Sequence, residues 1–331
     1  MNSRQLSLAA AALALVVLAA LPFGVGNVYY INIASQILFW AIFALALNVL
    51  VGYAGLVSLG HAGLFGVAGY TAALLLQAGY GHGIAILLAL LAALAAAAVF
   101  AVLALRATGI GFLMITLAIG QILWGIAYRW VSLTNGDNGV VFHGRPAPFG
   151  INLATPGAFY YATLVMFALA VVSMTLFVRS PFGASVCGTR DQPRRMSALG
   201  YHVWLIRFLA FLLSGFWAGI AGLLFIYYNQ FISPQVVALQ TSAEVLLMVI
   251  SGGTATLLGP ITGAAIVVVM KNVVSAYVER WNLVLGVIFV AIISFMPEGL
   301  VPGSLRLLRL AWRLFASRGA TALRRLPEPP A

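Results

Sequence analysis

The sequence predicts an all-α polytopic membrane protein with about ten transmembrane or partly broken helices. Apolar residues make up 63% of the 331 residues and charged residues only 7%, whereas soluble domains carry about 25% charged residues. The apolar residues occur in runs close to the roughly 20 residues that a helix needs to cross the hydrocarbon core. The mean hydropathy of +1.08 indicates the same class. These observations exclude a soluble globular domain.

Ten apolar segments are candidate membrane spans. In chain order they are Leu6–Gly24, Tyr30–Val51, His61–Ala78, Gly83–Leu105, Gly109–Trp130, Ala158–Val178, Ile206–Tyr228, Ser242–Gly253, Leu258–Ser275 and Leu283–Pro297. The first resembles a signal peptide slightly, but it is long enough to span, so we interpret it as a helix. Ser242–Gly253 is too short to cross alone and is expected to form a broken pair with the next segment. Residues 1–303 are thus the predicted transmembrane domain.

The charge balance is strongly basic, with 17 Lys or Arg against 6 Asp or Glu. A basic chain can bind nucleic acid, but here the basic residues cluster in short segments between apolar runs, as the positive-inside rule describes. With both termini in the cytoplasm, 13 of the 17 basic residues fall on the cytoplasmic side. The sequence therefore predicts cytoplasmic N- and C-termini and no nucleic-acid partner. The lone Cys187 excludes an internal disulfide, and no metal site is predicted.

A glycine-rich break interrupts the apolar pattern at residues 52–70, which read GYAGLVSLGHAGLFGVAGY. Irregular backbone at membrane depth is tolerated only where protein covers it or a water-filled path runs past it. Transporters place such breaks near their substrate route. A second break follows at residues 252–263, and the predicted break glycines are Gly52, Gly55, Gly60, Gly252, Gly253 and Gly259. The breaks favour a membrane transport protein.

Five polar residues in or beside the spans are candidates for a substrate path: Ser58, His61, Thr116, Gln121 and Glu244. An ionisable residue inside a membrane is a functional hypothesis by default. Alternatives stay open: His61 and Ser58 either contact substrate or pin the break, and Glu244 either contacts substrate or pairs with a helix N-terminus or Lys271. So sparse a set of polar groups fits a hydrophobic amino acid, and equally an amide, urea or an aromatic acid.

The cytoplasmic loop, residues 179–205, is expected to hold one or two short helices. Ser180 before Pro181 is a typical N-cap and first helical position. Asp191 is a candidate cap for a second helix, and Gly200 is a candidate stop. A short helix with a basic face and an apolar edge suits a groove on a soluble partner. The alternative is a solvated loop whose arginines only fix the topology.

Two further segments lie outside the predicted spans. The outer loop, residues 131–157, is rich in Gly, Asn and Pro, so it is expected to consist of turns, either bare or in contact with another protein. The tail, residues 304–331, places apolar residues and arginines on opposite helical sides, which predicts a basic amphipathic cytoplasmic helix. Such a helix suits an anionic membrane surface; covering part of a soluble subunit is the alternative.

Five ordered stretches resemble the permease subunits of branched-chain amino-acid ABC importers, in particular the larger of the two permeases. They are Gly52–Ala62, Arg106–Leu117, Ser132–Gly139, Ser180–Gly200 and Gly252–Ala264. One match alone would be weak, but five in order over about 200 residues are specific. The chain departs from the family pattern at three positions. Leu56 stands where glutamine is usual, Ala255 where glycine is usual, and Pro193 in the usually acidic run of the loop.

The resemblance implies an ABC importer permease fold, placed in the bacterial inner membrane. It also implies a second homologous permease as heterodimer partner, two cytoplasmic ATPases, a periplasmic substrate-binding protein and surrounding lipid. The implied ATPase-coupling residues are Pro181, Phe182, Gly183, Arg190, Asp191, Arg194, Arg195, Leu199 and Gly200. The chain has no GxxxxGK[ST] loop. We therefore expect no cofactor on this chain, ATP use by the partner subunits, and no enzymatic activity of its own.

Two other function classes are compatible with a polytopic chain. A stand-alone channel or ion-coupled carrier for urea or an amide usually has charged pairs within its spans, and here only Glu244 and Lys271 qualify. A membrane transferase needs a carboxylate cluster for a metal, whereas the six acidic residues are scattered. The importer permease is the favoured function.

Overall fold

The protein is a bundle of α-helices, seen in a computed structural model, with one short two-stranded antiparallel sheet among its described residues. The structure describes residues 16–22, 24, 27–146, 153–278, 280–296, 298–304 and 306. The helices are α1 (residues 16–22), α2 (Val28–Asn48), α3 (His61–Gln77), α4 (His82–Ala104), α5 (Ile110–Arg129), α6 (Val131–Thr134), α7 (Pro156–Arg179), α8 (Pro181–Asp191), α9 (Pro193–Ala198), α10 (Val203–Asn229), α11 (Leu239–Gly252), α12 (Leu258–Val273) and α13 (Trp281–Phe295). A π-helical turn, Val49–Ala54, extends α2, and 3₁₀ turns lie at Gly136–Asn138, Pro234–Val237 and Val274–Ala276.

Six described helices are long and apolar enough to cross a membrane: Val28–Ala54, His82–Ala104, Ile110–Arg129, Pro156–Arg179, Val203–Asn229 and Leu258–Ala276. They coincide with six predicted spans. Helices α3, α11 and α13 have only 17, 14 and 15 residues, and the predicted span Leu6–Gly24 lies largely outside the described residues. The predicted helical membrane fold is confirmed, but a count of about ten crossings is not. The predicted broken pair exists, since α11 packs against α12 across the second break.

Helix α2 is the central element of the bundle and packs against α7, α10, α11 and α12. It is apolar on all sides, as expected of a helix that protein surrounds. Of its most apolar stretch 89% is buried, against 28% for α4 and 22% for α5. Helices α4 and α5 therefore present apolar side chains outward, to lipid or to another membrane subunit.

Small residues bring α4 and α10 close together. Ala89, Ala93 and Ala97 recur every four residues on α4 and are fully buried. A Cβ added at Gly219 of α10 would lie only 2.8 Å from the Cβ of Ala93, and one added at Gly215 would collide with Ala97. Small-residue contacts of this kind hold membrane helices together, because lipid provides no hydrophobic drive for helix association.

The two ends of the bundle differ. At one end β1 (Val140–Val141) pairs antiparallel with β2 (Phe231–Ile232); we call this the sheet end. Helices α8 and α9 lie at the opposite end of α7 and α10, which we call the α8 end. The 27 residues of α10 separate the two ends by about 40 Å at 1.5 Å per residue.

Arg145 connects the described part of the outer loop to α10 at the sheet end. Its Nε donates to the carbonyl of Tyr227 at 2.9 Å and its Nη2 to that of Tyr228 at 3.1 Å. The guanidinium also lies 4.7 Å from the centre of the Phe159 ring, in cation–π range. Burial lowers the pKa of Arg145, but a guanidinium stays protonated in proteins. This arginine therefore has a structural role.

Candidate functional site

The two glycine breaks meet at the α8 end, where Asn48 joins them. The first break begins at the π-helical turn Val49–Ala54, which Gly55 ends in the left-handed region at φ +68°, and it continues to Gly60, just before α3. The buried Asn48 amide donates to the carbonyl of Thr256 at 2.8 Å and accepts from the N–H of Ala255 at 3.1 Å. One side chain of α2 thus satisfies backbone groups of the break between α11 and α12, about 200 residues away.

The second break requires glycine because the backbone at the end of α11 touches the backbone at the start of α12. A Cβ added at Gly252 would collide with the carbonyl of Gly259, and Gly253 has a φ of +120°. Ala255, the departure from the family pattern, adopts a φ of +59°, which costs a residue with a Cβ about 1–2 kcal/mol. The hydrogen bond from its N–H to Asn48 helps to hold this conformation.

Helices α8 and α9 form the predicted helical loop. Ser180 Oγ accepts from the N–H of Gly183 at 3.0 Å, and Pro181 occupies the first turn, so this predicted cap is confirmed. The predicted cap at Asp191 is wrong: Asp191 is the last residue of α8, and Gln192 precedes α9 without a capping bond. A residue before proline is disfavoured in the α region, so Pro193 sets the break at Gln192.

Arg190 connects α8 to the first break. Its Nη1 donates to the carbonyl of Gly52 at 2.7 Å, and its Nε pairs with Asp191 at 2.8 Å. The hydrogen bond to Asp191 raises the pKa of Arg190, so the guanidinium stays charged. A Cβ on Gly55 would collide with the Arg190 side chain. Any displacement of α8 therefore acts directly on the break.

The remaining predicted coupling residues surround this contact. Phe182 packs edge-on against Phe177 at 5.8 Å, and Gly183 lies against the Phe177 carbonyl. Gly200 ends the α9 segment at φ +87°. We call the exposed surface that faces away from the bundle the α9 face; it is formed by Arg194, Arg195 and Leu199.

His61 is fully buried at the start of α3 and bonds to α10. Its Nε2 lies 2.7 Å from Ser214 Oγ and its Nδ1 lies 3.3 Å from Ser58 Oγ. Ser214 donates its only hydroxyl proton to the carbonyl of Ala46, so Nε2 must donate to Ser214. In the neutral ring Nδ1 then accepts from Ser58. Of the open alternatives, the geometry corresponds to pinning of the break.

Thr116 and Gln121 lie on α5. The fully buried Thr116 hydroxyl accepts from the N–H of Leu59 at 3.3 Å and donates to the carbonyl of Leu113 at 2.9 Å. Gln121 is half-buried one turn further along. Ser58, His61 and Thr116 therefore belong to one hydrogen-bonded region around the start of α3. This region is linked to α11 two residues before Glu244, where Ser242 Oγ accepts from the N–H of Ala62 at 3.0 Å, but no described hydrogen bond joins the three side chains to Glu244.

Glu244 lines a cavity of about 250 Å³ towards the sheet end. Its Oε2 lies 3.4 Å from Nζ of Lys271, so the pairing alternative is the one observed. The Glu244 side chain is 12% exposed and that of Lys271 is 45% exposed. Trp40 and Phe225 form an apolar wall, with ring centres 6.2 Å apart. The cavity thus combines one anion, one cation and an aromatic surface.

Further polar groups lie around this cavity. Its rim contains Gln235, Gln240 and Thr241. Beside it, the Asn272 amide donates to Gln36 Oε1 at 3.1 Å, and Gln36 Nε2 donates to the Tyr228 hydroxyl at 3.0 Å. Sequence reasoning missed Trp40, Gln36 and Asn272. A polar amide inside an apolar run was the available signal for Gln36 and Asn272.

An apolar helical bundle, glycine breaks and a basic helical loop packed on one break define a polytopic membrane permease. The chain belongs to the family described as branched-chain amino acid transport system, permease component, whose model matches residues 29–293. Members of this family are multi-pass inner-membrane subunits of ABC transporters, which work with ATPase and binding-protein partners. They are not themselves enzymes.

Curated relatives agree with the family. The chain is 30% identical over 312 residues to the high-affinity branched-chain amino acid transport system permease protein LivM of Salmonella typhimurium, covering 87% of this chain and 73% of the relative. LivM of Escherichia coli is 31% identical over 314 residues, with 87% and 74% covered. The autoinducer 2 import system permease protein LsrC of Yersinia enterocolitica is 27% identical over 244 residues, with 70% and 64% covered. No solved structure matches the chain.

Proposed function

We propose that this chain is a transmembrane subunit of an ATP-driven importer that forms the path for branched-chain or other hydrophobic amino acids. A periplasmic binding protein delivers the solute, and a second, homologous permease completes the path as a heterodimer. Two cytoplasmic ATPases bind α8 and α9. Both termini lie in the cytoplasm, which puts the α8 end on the cytoplasmic side of the membrane and the sheet end on the outer side.

The observation that carries the proposal is the contact between Arg190 and the Gly52 carbonyl. An ATPase that moves α8 pulls on the π-helical turn after α2, and Asn48 passes the displacement to the second break. Interfaces and packed cores have discrete arrangements, so a small shift of one element repositions the next. A stand-alone channel has no use for a short basic helix attached to its breaks.

The α9 face supports the same assignment. Leu199 is 66% exposed and lies beside two exposed arginines. A basic helix with an apolar edge fits a groove on a soluble protein. Because α8 and α9 are contiguous, a subunit docked on the α9 face is directly connected to Arg190.

The substrate class rests on the relatives and on the cavity. The printed names of the LivM relatives state branched-chain amino acid transport, whereas LsrC is an autoinducer 2 permease, so the family name alone does not fix the solute. The aromatic wall of Trp40 and Phe225 favours a solute with an apolar part.

Gentle affinity purification of the tagged chain from its native membrane, followed by mass spectrometry, tests the importer assignment. We expect recovery of two ATPases and one further permease, and ATP-dependent uptake of labelled L-leucine once the complex and its binding protein are reconstituted. Leu199→Asp should release the ATPases. Val141→Asp, at a 52% exposed position of the sheet end, should retain them.

Recovery of the chain alone, under conditions that keep a known importer intact, would contradict the proposal. Uptake that proceeds without ATP would favour the channel or carrier class. Release of the ATPases by Val141→Asp and not by Leu199→Asp would remove the α9 face as their docking surface.

A further inference from the structure

We infer that the cavity towards the sheet end recognises the zwitterionic head of a free amino acid, with Glu244 receiving the ammonium group and Lys271 the carboxylate. The inference rests on the proposed function, since it concerns the same solute on its way through this chain. It goes further by assigning recognition to two residues and by requiring both charges on the solute.

The geometry of the ion pair carries the first step. The separation of 3.4 Å between Nζ and Oε2 exceeds the about 2.7–2.9 Å of a close charge-assisted hydrogen bond. The Glu244 carboxylate is held within the wall, whereas Lys271 is nearly half exposed. A zwitterion carries the two complementary charges on neighbouring atoms. It can therefore replace one internal ion pair by two intermolecular pairs without leaving either protein charge unpaired.

The aromatic wall carries the second step. Trp40 and Phe225 belong to the same cavity as the ion pair, so a bound head group directs its side chain along their rings. Trp40 is fixed by stacking on Phe65, at 5.8 Å between ring centres and 13° between planes. The volume of about 250 Å³ corresponds to roughly eight water molecules of about 30 Å³ each. This is room for one small solute.

The same residues argue against two alternatives that the sequence left open, an uncharged solute and an ion-coupled carrier. Urea or an amide has no charge with which to separate Glu244 from Lys271. A carrier site for Na⁺ needs a carboxylate available to the cation, and here the carboxylate already faces an ammonium group. The polar rim of Gln235, Gln240 and Thr241 adds neutral donors and acceptors for a solute that has entered.

The test measures equilibrium binding of tritiated L-leucine to the purified permease–ATPase complex without its binding protein. Unlabelled L-leucine, L-leucinol and isocaproate compete: leucinol lacks the carboxylate and isocaproate lacks the ammonium group. We expect both analogues to compete at least about tenfold more weakly than leucine, because each leaves one protein charge without its partner. Equal competition by either analogue would overturn the inference.

Charge-removing variants sharpen the result. Glu244→Gln should weaken leucine binding and abolish the preference of leucine over isocaproate, whereas Lys271→Gln should abolish the preference over leucinol. Glu298→Gln is the matched control, since Glu298 forms a comparable pair with Arg306 at 3.1 Å outside the cavity; it should bind like the wild type. Unchanged selectivity in both cavity variants would overturn the inference. If one variant does not assemble, the other variant and the wild-type series decide.

Uptake by the same preparation, with ATP and the binding protein, separates the two proposals. Leucine uptake without charge-selective binding in the cavity would sink this inference and leave the importer assignment standing. ATP-dependent uptake of an uncharged solute, with no uptake of leucine, would also overturn it. Failure of all ATP-dependent uptake, with no ATPase partners recovered, would count against the importer assignment itself.

Discussion

Arg190 of α8 donates a hydrogen bond to the carbonyl of Gly52 across 2.7 Å, which connects a helix outside the membrane spans to the first glycine break within them. The acceptor is a backbone carbonyl, so the contact depends on the shape of the break and on a long cationic donor. The consequence is a direct route from the proposed ATPase surface to the core of the bundle.

Replacing Arg190 by Met should uncouple ATP hydrolysis from uptake. A hydrogen bond from a charged donor contributes about 1.5–3 kcal/mol, and about 1.4 kcal/mol corresponds to a tenfold change, so uptake should fall about tenfold or more while ATP is still hydrolysed. Both rates are measured on reconstituted complexes. Arg106→Met, which removes an exposed arginine of the α4–α5 loop, is the control and should keep normal coupling. An uptake-to-hydrolysis ratio unchanged by Arg190→Met would refute the route.

Removing the Asn48 side chain should destabilise the bundle at the junction of the two breaks. Asn48→Ala leaves the Ala255 N–H and the Thr256 carbonyl without their partner, and each of these part-buried hydrogen bonds contributes about 0.5–1.5 kcal/mol. The expected result is a lower midpoint of thermal unfolding. The midpoint is measured by size-exclusion chromatography in detergent after heating. Asn229→Ala, which removes only an exposed bond to Phe225 on the same helix, should lower it far less. Equal midpoints for the two variants would contradict this role of Asn48.

Substitution of Gly252 by Ala should prevent α11 and α12 from approaching. The added Cβ meets the Gly259 backbone, and overpacking costs about 1–3 kcal/mol where neighbours can adjust and more where they are backbone. The yield of protease-resistant protein should drop sharply. Gly286→Ala adds the same methyl group to α13 where nothing lies within 4 Å, so its yield should be retained. A Gly252→Ala protein that folds as well as Gly286→Ala would show that the two helices can separate freely.

His61 and Ser214 should behave as one coupled pair. Because His61 is fully buried and donates to Ser214, His61→Ala and Ser214→Ala should each lower stability, and the double variant should lose less than the sum. We expect a coupling free energy of about 0.5–3 kcal/mol in a double-mutant cycle, read from detergent or urea unfolding. Strict additivity would mean that the 2.7 Å contact contributes nothing.

Local signals in the sequence located much of the structure. Runs of apolar residues identified six helices that the structure describes as long enough to span, and Ser180 with Pro181 fixed the start of α8. The predicted cap at Asp191 was wrong because Pro193 restricts the backbone of Gln192, so that Gln192 separates α8 from α9. The number of crossings was not confirmed, since α3 and α11 are shortened at the glycine breaks and hydropathy does not distinguish a short buried helix from a span.

Relations between distant segments were beyond sequence reasoning. Asn48 was visible as a polar residue in an apolar run, but nothing local shows that it reaches Ala255 and Thr256. The cavity could not be predicted for the same reason. Its wall combines Trp40 from α2 with Phe225 from α10, and periodicity does not reveal which helices meet. The Glu244–Lys271 pair was one of two open alternatives, because these are the rare opposite charges within the spans.

The enclosure of α2 has a consequence for anyone who wants to change what the protein carries. Random substitutions in α2 will mostly abolish folding, since four other helices press on it, so a selection for new solutes will discard them before transport is ever assayed. Diversity is better directed to Gln235, in the turn Pro234–Val237, and to Gln240 and Thr241, in the first turn of α11. All three line the cavity, and Gln235 and Gln240 are exposed. A library confined to those few positions should yield far more folded variants per clone than one spread over α2.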